Sequence, residues 1–358
     1  MRLIGFCYIA ATLAFADMLF ASVLPASTPS SVASPGPANA TGVWEDPSPH
    51  RPSLVTVEDG VQLEVLDWGG AGRAIVLLAA SGWTAHVFDD FAPKLTDRYH
   101  VFGTTRRGFG ASGFVAGKFG IDLLGDDVLA VITALMLDRP ILVGHSFAGG
   151  ELSSVATRYP DRIAGAVYLD AAYPVAFDNG KGMSMAEFQE IVRAPPVPQP
   201  GSADLASFEA LQSYYDRAYG IRLPEAALRQ NWEALPDGRV GKRHGFPGSP
   251  VLMKGTRQFT DIPVPSLVVF ANPQSLGPWL DNNRDPSVQA AVKDFSAKFE
   301  AFTRKQEQAF REAMPTARVV TLPGANHFVF MSNEADVLRE MDTFIRNLCG
   351  SSSNSAAP

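Results

Sequence analysis

Ser146 is the residue in this sequence best placed to do chemistry. It lies in the stretch Gly144-His145-Ser146-Phe147-Ala148-Gly149-Gly150, between an apolar run at 140–144 and a helical pattern at 147–159. A serine on a sharp strand-to-helix turn needs small neighbours, and its hydroxyl then projects above the sheet at the N-terminus of a helix. Free N–H groups and the helix dipole favour developing negative charge there. Such a serine suits attack on an acyl carbon, which also requires a base to take the hydroxyl proton and an acid to orient that base. The histidines, at positions 50, 86, 100, 145, 244 and 327, are the candidate bases. Cys7 and Cys349 are the only cysteines, too few and too distant for a zinc site or a disulfide scaffold.

The elements that must position this serine are visible as alternating patterns. With 358 residues, 46% hydrophobic and 19% charged, the chain has the composition of a folded globular protein. Its net charge of -7 gives no reason to expect a nucleic-acid surface or an anionic membrane as partner. Residues 54–57 and 62–66 flank Glu58-Asp59-Gly60 as a hairpin. Apolar runs at 74–80, 99–104, 140–144 and 164–169 read as buried strands, separated by helical patterns at 87–96, 123–137 and 147–159. A hairpin leading into repeated strand-helix units implies an α/β fold, with a mostly parallel sheet and helices on both faces.

That rhythm stops over 174–261, which holds helical patterns, the clearest at 203–219, but no convincing buried strand. It resumes with a strand at 265–270, a long helix at 288–314, a strand at 317–322 and a last helix at 335–347. Residues 174–261 are therefore expected to be a helical cap inserted into a core made of 41–173 and 262–349. Residues 350–358, rich in Ser and Ala, are expected to be a disordered tail.

With its serine turn in this context, the sequence from about 54 to 347 resembles the α/β-hydrolase superfamily. Ala148 replaces the second glycine of the usual G-x-S-x-G and is small enough for the turn. Two further segments carry the likeness. Arg107-Gly108-Phe109-Gly110-Ala111-Ser112 is similar to the superfamily's R-G-x-G-x-S loop and reads as a structural turn. Gly324-Ala325-Asn326-His327-Phe328 follows the last strand and resembles the loop presenting the catalytic histidine. The resemblance implies His327 as general base in the chain order serine, acid, histidine. His145 is read as structural, its side chain directed into the sheet flank.

The acid is less determined. In the superfamily it usually follows the strand that here is 265–270, but that loop reads Ala271-Asn272-Pro273-Gln274-Ser275, with no carboxylate. Some members place it at the end of the strand after the nucleophile helix, and the resemblance thereby implies Asp170. Asp281, then Asp285, are the alternatives. Glu151, early in the nucleophile helix, is read as structural because anions are favoured there.

Acyl transfer needs two N–H donors for the oxyanion, expected from Phe147 and from Trp83 in the turn Ser81-Gly82-Trp83-Thr84. Phe177, Phe188, Phe208, Tyr214, Tyr215, Tyr219 and Trp232 are expected mainly to form the cap's own core. Arg239, Lys242, Arg243, His244, Lys254 and Arg257 form a basic stretch that reads as a solvated loop.

Residues 3–24 are mostly apolar behind Arg2 and are followed by a Ser/Pro/Ala-rich stretch through Ala40, the pattern of a signal peptide and linker. Export to the periplasm or beyond, without stable membrane association after cleavage, is the expectation; an uncleaved anchor is the alternative, with Asp17 against it. These readings predict a serine hydrolase acting on small or medium carboxylic esters through Ser146, His327 and Asp170, with no metal or organic cofactor implied. Lactonase, amidase and carbon-carbon hydrolase chemistry remain alternatives on the same residues. A weakly catalytic ligand-binding protein is the rival from another class.

Overall fold

A computed structural model describes residues 44–115, 118–191, 194–245 and 257–352. The expected signal segment and linker and Lys254 lie outside the described residues, as does the tail beyond 352. No helix among the described residues is long and apolar enough to cross a membrane.

An eight-stranded sheet organises the molecule. Its strands are β1 (Arg51–Glu58), β2 (Val61–Gly69), β3 (Ala74–Leu78), β4 (His100–Thr104), β5 (Ile141–His145), β6 (Gly165–Leu169), β9 (Ser266–Ala271) and β10 (Arg318–Leu322). They lie in the order β1-β2-β4-β3-β5-β6-β9-β10. β1 and β2 form the antiparallel hairpin, β2 is antiparallel to β4, and every pairing from β4 to β10 is parallel. This is the α/β architecture the alternation predicts. The central strands are covered on both faces: Ile75, Val76, Leu77, Leu142, Val143, Val167, Val268 and Val269 have no exposed surface. Burying each such side chain is worth about 1.5–3 kcal/mol, so the middle of the sheet is the rigid part.

Helix α1 (Ile121–Ala134), α2 (Ala148–Arg158), the long α6 (Pro286–Ala313) and α7 (Glu334–Ser352) pack around the sheet. The helix expected over 87–96 does not form. Two 3-10 turns, Ala85–Phe88 and Ala92–Leu95, stand in its place. Pro93 has no N–H to give and its ring opposes the carbonyl four residues back, which breaks an α-helix at that point. At the other end, α7 runs to Ser352, into the segment expected to be a disordered tail.

Between β6 and β9 lie α3 (Met185–Ile191), α4 (Phe208–Tyr219), α5 (Glu225–Asn231) and a short antiparallel hairpin, β7 (Trp232–Ala234) with β8 (Val240–Arg243). The hairpin was not expected, although Pro236-Asp237-Gly238 between its strands is a turn signal, and Gly238 takes φ 85° there. Helix α4 starts at Phe208 rather than 203 because the Ser207 Oγ caps it, accepting the Ala210 N–H at 3.1 Å. Gln306 of α6 anchors the insertion's first segment. Its amide donates to the carbonyls of Ala172 and Phe177 and accepts the Met183 N–H, all at 2.8 Å.

Candidate active site

The site is built where the parallel strands end. Ser146, the residue after β5, has φ 57°, in the left-handed region that non-glycine residues rarely enter. Strain of this kind, about 1–3 kcal/mol, persists only where the surroundings impose it. Here the Ser146 N–H is held by the Leu169 carbonyl of β6 at 3.2 Å, and the Gly149 N–H returns to the Ser146 carbonyl at 3.0 Å. The backbone is closest at Gly149, where a Cβ would stand 2.0 Å from the Ala171 carbonyl oxygen. The indispensable glycine of the turn is therefore one residue after Ala148, and Ala148 itself is accommodated with no exposed surface.

Asp170, the residue after β6, repeats the device one strand over. Its φ is 45° and its N–H donates to the Val269 carbonyl at 2.8 Å. Its fully buried carboxylate reaches His327 Nδ1 at 2.6 Å through Oδ2. Three neutral donors hold the same carboxylate: the Tyr173 hydroxyl at 2.8 Å, the Ala271 N–H at 3.1 Å and the Gln274 amide at 3.5 Å. Burial, reinforced by the Asp170 charge, pushes the Tyr173 hydroxyl well above its ordinary pKa, so it stays a proton donor. Of the candidate acids, Asp170 is the one that meets His327. Asp281 instead closes its own loop, accepting the Ser275 hydroxyl at 2.6 Å and the Leu276 N–H at 3.2 Å. Asp285 caps α6 through the N–H groups of Ser287 and Val288.

His327 is buried and lies beside the serine turn. Its ring centre is 4.7 Å from that of His145, the neighbour of Ser146 in the chain. His145 has no exposed surface, and its Nε2 donates to the His327 carbonyl at 3.0 Å. Burial drives its pKa well down, the His327 charge adding to the effect, so the ring is neutral and carries its proton on Nε2. The expected structural role thus has a definite object, the backbone of His327. The same loop is tied to the insertion by Asn326, whose amide donates to the Tyr219 carbonyl at 2.9 Å.

The turn expected to supply the second N–H donor lies across from these groups. The Trp83 N–H is 3.3 Å from the Ala80 carbonyl, longer than the usual range of about 2.7–3.2 Å. The Phe147 N–H has no partner among the described residues. Ser81 Oγ, Trp83 Nε1 and Thr84 Oγ1 are all buried without a hydrogen-bond partner among the described residues. Buried polar groups are nearly always paired, so three orphans on one turn mark a place that a polar ligand or water completes. The indole, for which no role was expected, also packs edge-on against Tyr215 of α4 and Phe328. A bond at 2.8 Å from the Asn231 amide to the Gly82 carbonyl adds a polar tie between insertion and turn.

The role of Glu151 extends beyond the helix dipole. It forms a buried ion pair with Arg106, whose guanidinium also donates to the carbonyls of Ala79 at 2.9 Å and Ala80 at 3.3 Å. Helix α2 and the backbone leading into the Ser81–Thr84 turn are thereby linked through one side chain. Arg107 of the R-G-x-G-x-S turn binds Asp127 with two nitrogens and Glu58 with a third contact, in keeping with a structural turn. In the basic stretch, Arg239 pairs with Asp237 and Arg257 with Asp122. Among the described residues one cluster has the composition to hold a metal ion, Asp46, His50, His86 and Asp89, and it shares no residue with the site around Ser146.

Comparison with known proteins agrees with this architecture. A sequence model described as "Alpha/beta hydrolase family" matches residues 68–340. A bifunctional esterase/perhydrolase of Acinetobacter calcoaceticus is 36% identical over 147 residues, covering 38% of this chain and 52% of that protein. A non-heme haloperoxidase of Rhodococcus erythropolis is 30% identical over 194 residues, covering 50% of this chain and 66% of that protein. The chain spans about half the length of the curated relatives it matches. Among solved structures, an E-2-(acetamidomethylene)succinate hydrolase superposes with a TM-score of 0.58 at 20% identity, over 83% of this chain and 99% of that one.

Proposed function

The chain belongs to the alpha/beta hydrolase family, and from that premise we propose that it is a serine hydrolase cleaving carboxylic esters of small or medium size, with Ser146, His327 and Asp170 as its catalytic residues. The observation that carries the reading is the 2.6 Å contact between Asp170 and His327 Nδ1, beside a serine held at positive φ. Asp170 keeps the imidazole proton on Nδ1 and leaves Nε2 as the basic nitrogen. Nε2 takes the Ser146 proton as Oγ bonds to the ester carbon, and the Phe147 and Trp83 N–H groups stabilise the oxyanion. The alcohol then departs with the proton held by His327. Water adds to the acyl-enzyme with the same assistance, releasing the acid and restoring Ser146.

A second acceptor deserves the same test, because one relative is named a bifunctional esterase/perhydrolase and another a haloperoxidase. Hydrogen peroxide in place of water would release a peracid from the same acyl-enzyme. The test is hydrolysis of p-nitrophenyl esters of graded acyl length, with and without peroxide. Turnover should fall by about 10⁵–10⁶ in Ser146→Ala. Activity that survives this substitution in pure protein, or no turnover of any acyl substrate, would overturn the reading.

A further inference from the structure

The geometry points to a second site, a divalent transition-metal site of the zinc class formed by Asp46, His50, His86 and Asp89, which joins the segment before β1 to the 3-10 turn that follows Trp83. Four candidate ligand atoms, one from each residue, lie within 4.8 Å of one another. Asp46 Oδ2 is 3.6 Å from His50 Nε2 and 3.4 Å from His86 Nδ1, and His86 Nδ1 is 3.3 Å from Asp89 Oδ2. A tetrahedral ion with ligands at about 2.0–2.1 Å has ligand-ligand edges of about 3.3 Å. Half of the six edges already have nearly that length.

The opposite nitrogens of both histidines are spoken for by carboxylates. His50 Nδ1 contacts Asp89 Oδ1 at 2.8 Å, and His86 Nε2 contacts Glu64 Oε1 at 3.4 Å. A carboxylate accepts, so each of these nitrogens is a donor; His86 Nδ1, which faces Asp46 at 3.4 Å and Asp89 at 3.3 Å, donates as well in the metal-free protein, and a bound ion would displace that proton and take His50 Nε2 and His86 Nδ1 as ligands. Carboxylate-backed imidazoles of this kind are the usual outer shell of a metal site. The outer acceptors are themselves held: the Trp68 indole donates to Asp89 Oδ1 at 3.1 Å and Thr105 Oγ1 to Glu64 Oε2 at 2.7 Å.

Charge and donor type select the ion. The side chains of His50, His86, Asp89 and Glu64 are all more than nine-tenths buried, and Asp46 is only 23% exposed. Two aspartates around a dication give a neutral first shell, the charge balance a buried site needs. Two imidazole nitrogens among four donors favour zinc-like ions over calcium or magnesium, which take six or more oxygens. Neither cysteine contributes, so the cysteine count that argued against a metal does not bear on this site.

The experiment uses tag-free full-length protein, treated with chelator, verified as folded by circular dichroism and titrated calorimetrically with zinc chloride. One zinc per chain is expected, and cobalt(II) in its place should give the intense visible bands of tetrahedral coordination. His50→Gln and Asp46→Asn should each weaken zinc binding at least tenfold. Glu64→Gln, which touches no metal, should weaken it by about 10–100-fold. Asp46 precedes the sheet and is partly exposed, so Asp46→Asn reports on the site without disturbing the core. Less than about 0.2 zinc per folded chain, or uptake indifferent to Asp46→Asn and His50→Gln, would overturn the proposal and leave the cluster a metal-free histidine-carboxylate clasp.

Discussion

Two of the histidine-carboxylate contacts among the described residues, His327 with Asp170 and the flank group of His50 and His86, differ in what surrounds the imidazole. At the end of the parallel strands, His327 meets the Asp170 carboxylate, which is also held by neutral donors, Tyr173, Gln274 and the Ala271 N–H. On the flank, two imidazoles face three carboxylates, Asp46, Asp89 and Glu64. In the proposed mechanism the first arrangement would balance the single positive charge that His327 gains on taking the Ser146 proton. The second has negative charge in excess of its histidines, which suits a resident cation. On the two proposals, similar distances and similar residue types divide into a moving proton on one side and a held ion on the other.

Asp170→Asn tests this division most severely. An asparagine can present an amide to Nδ1 and so favour the wrong tautomer, and turnover should drop by about 10⁴-fold while KM changes little. Asp281→Asn, at a residue that only closes its own loop, should stay within about twofold. Zinc uptake should be unchanged in Asp170→Asn. If Asp281→Asn proves the more damaging, the loop after β9 holds the working acid after all and the comparison fails on its first member.

His145 gives the next effect in size. It touches no substrate in the proposed mechanism and acts by holding the His327 backbone, so it is a positioning residue. His145→Phe keeps the ring packing against Phe328 and Phe330 but leaves the His327 carbonyl buried without its donor. A displacement of His327 by less than an ångström should lower kcat by about 10–100-fold. His145→Gln, which can donate again, should recover part of that loss; no difference between the two variants would mean that the hydrogen bond does not matter.

The division was unevenly legible in the sequence. The strands from β3 to β10 stand out as continuous apolar runs, because covered on both faces they need no alternation. Ser146 stands out for the same reason, as a polar residue at the end of such a run. The acid did not, since nothing in linear spacing says which of Asp170, Asp281 and Asp285 a folded loop brings to His327. Gln274 and Tyr173 were invisible as its support, though Gln274 occupies the loop where a carboxylate was sought and contributes an amide instead. The flank cluster has only a weak local signal: Asp46 and His50 are four residues apart, and His86 and Asp89 three. Pairing the two halves requires the segment before β1 to lie on the turn after β3, a contact no local pattern encodes.

Glu307 carries the smallest prediction and probes a partly buried carboxyl that feels the Asp170 charge. It lies on α6, accepting the Asn272 amide at 3.3 Å and the Thr321 hydroxyl at 3.1 Å. Burial raises its pKa above the ordinary carboxylate value; these two hydrogen bonds oppose the shift and the Asp170 charge adds to it. A carboxyl whose folded-state pKa is raised favours the fold fully below its unfolded pKa, and that contribution is lost as pH rises through the folded value. Glu307→Gln keeps both partners supplied and removes the charge. The variant should therefore match the parent near pH 4 and exceed its Tm by about 1–2 °C at neutral pH, read by thermal melts across that range. A variant less stable than the parent at neutral pH would mean that the negative charge itself supports the loop around Asn272. The strand-end cluster would then share the flank's tolerance for excess carboxylate, and the contrast between the two would narrow to the identity of the cation each one holds.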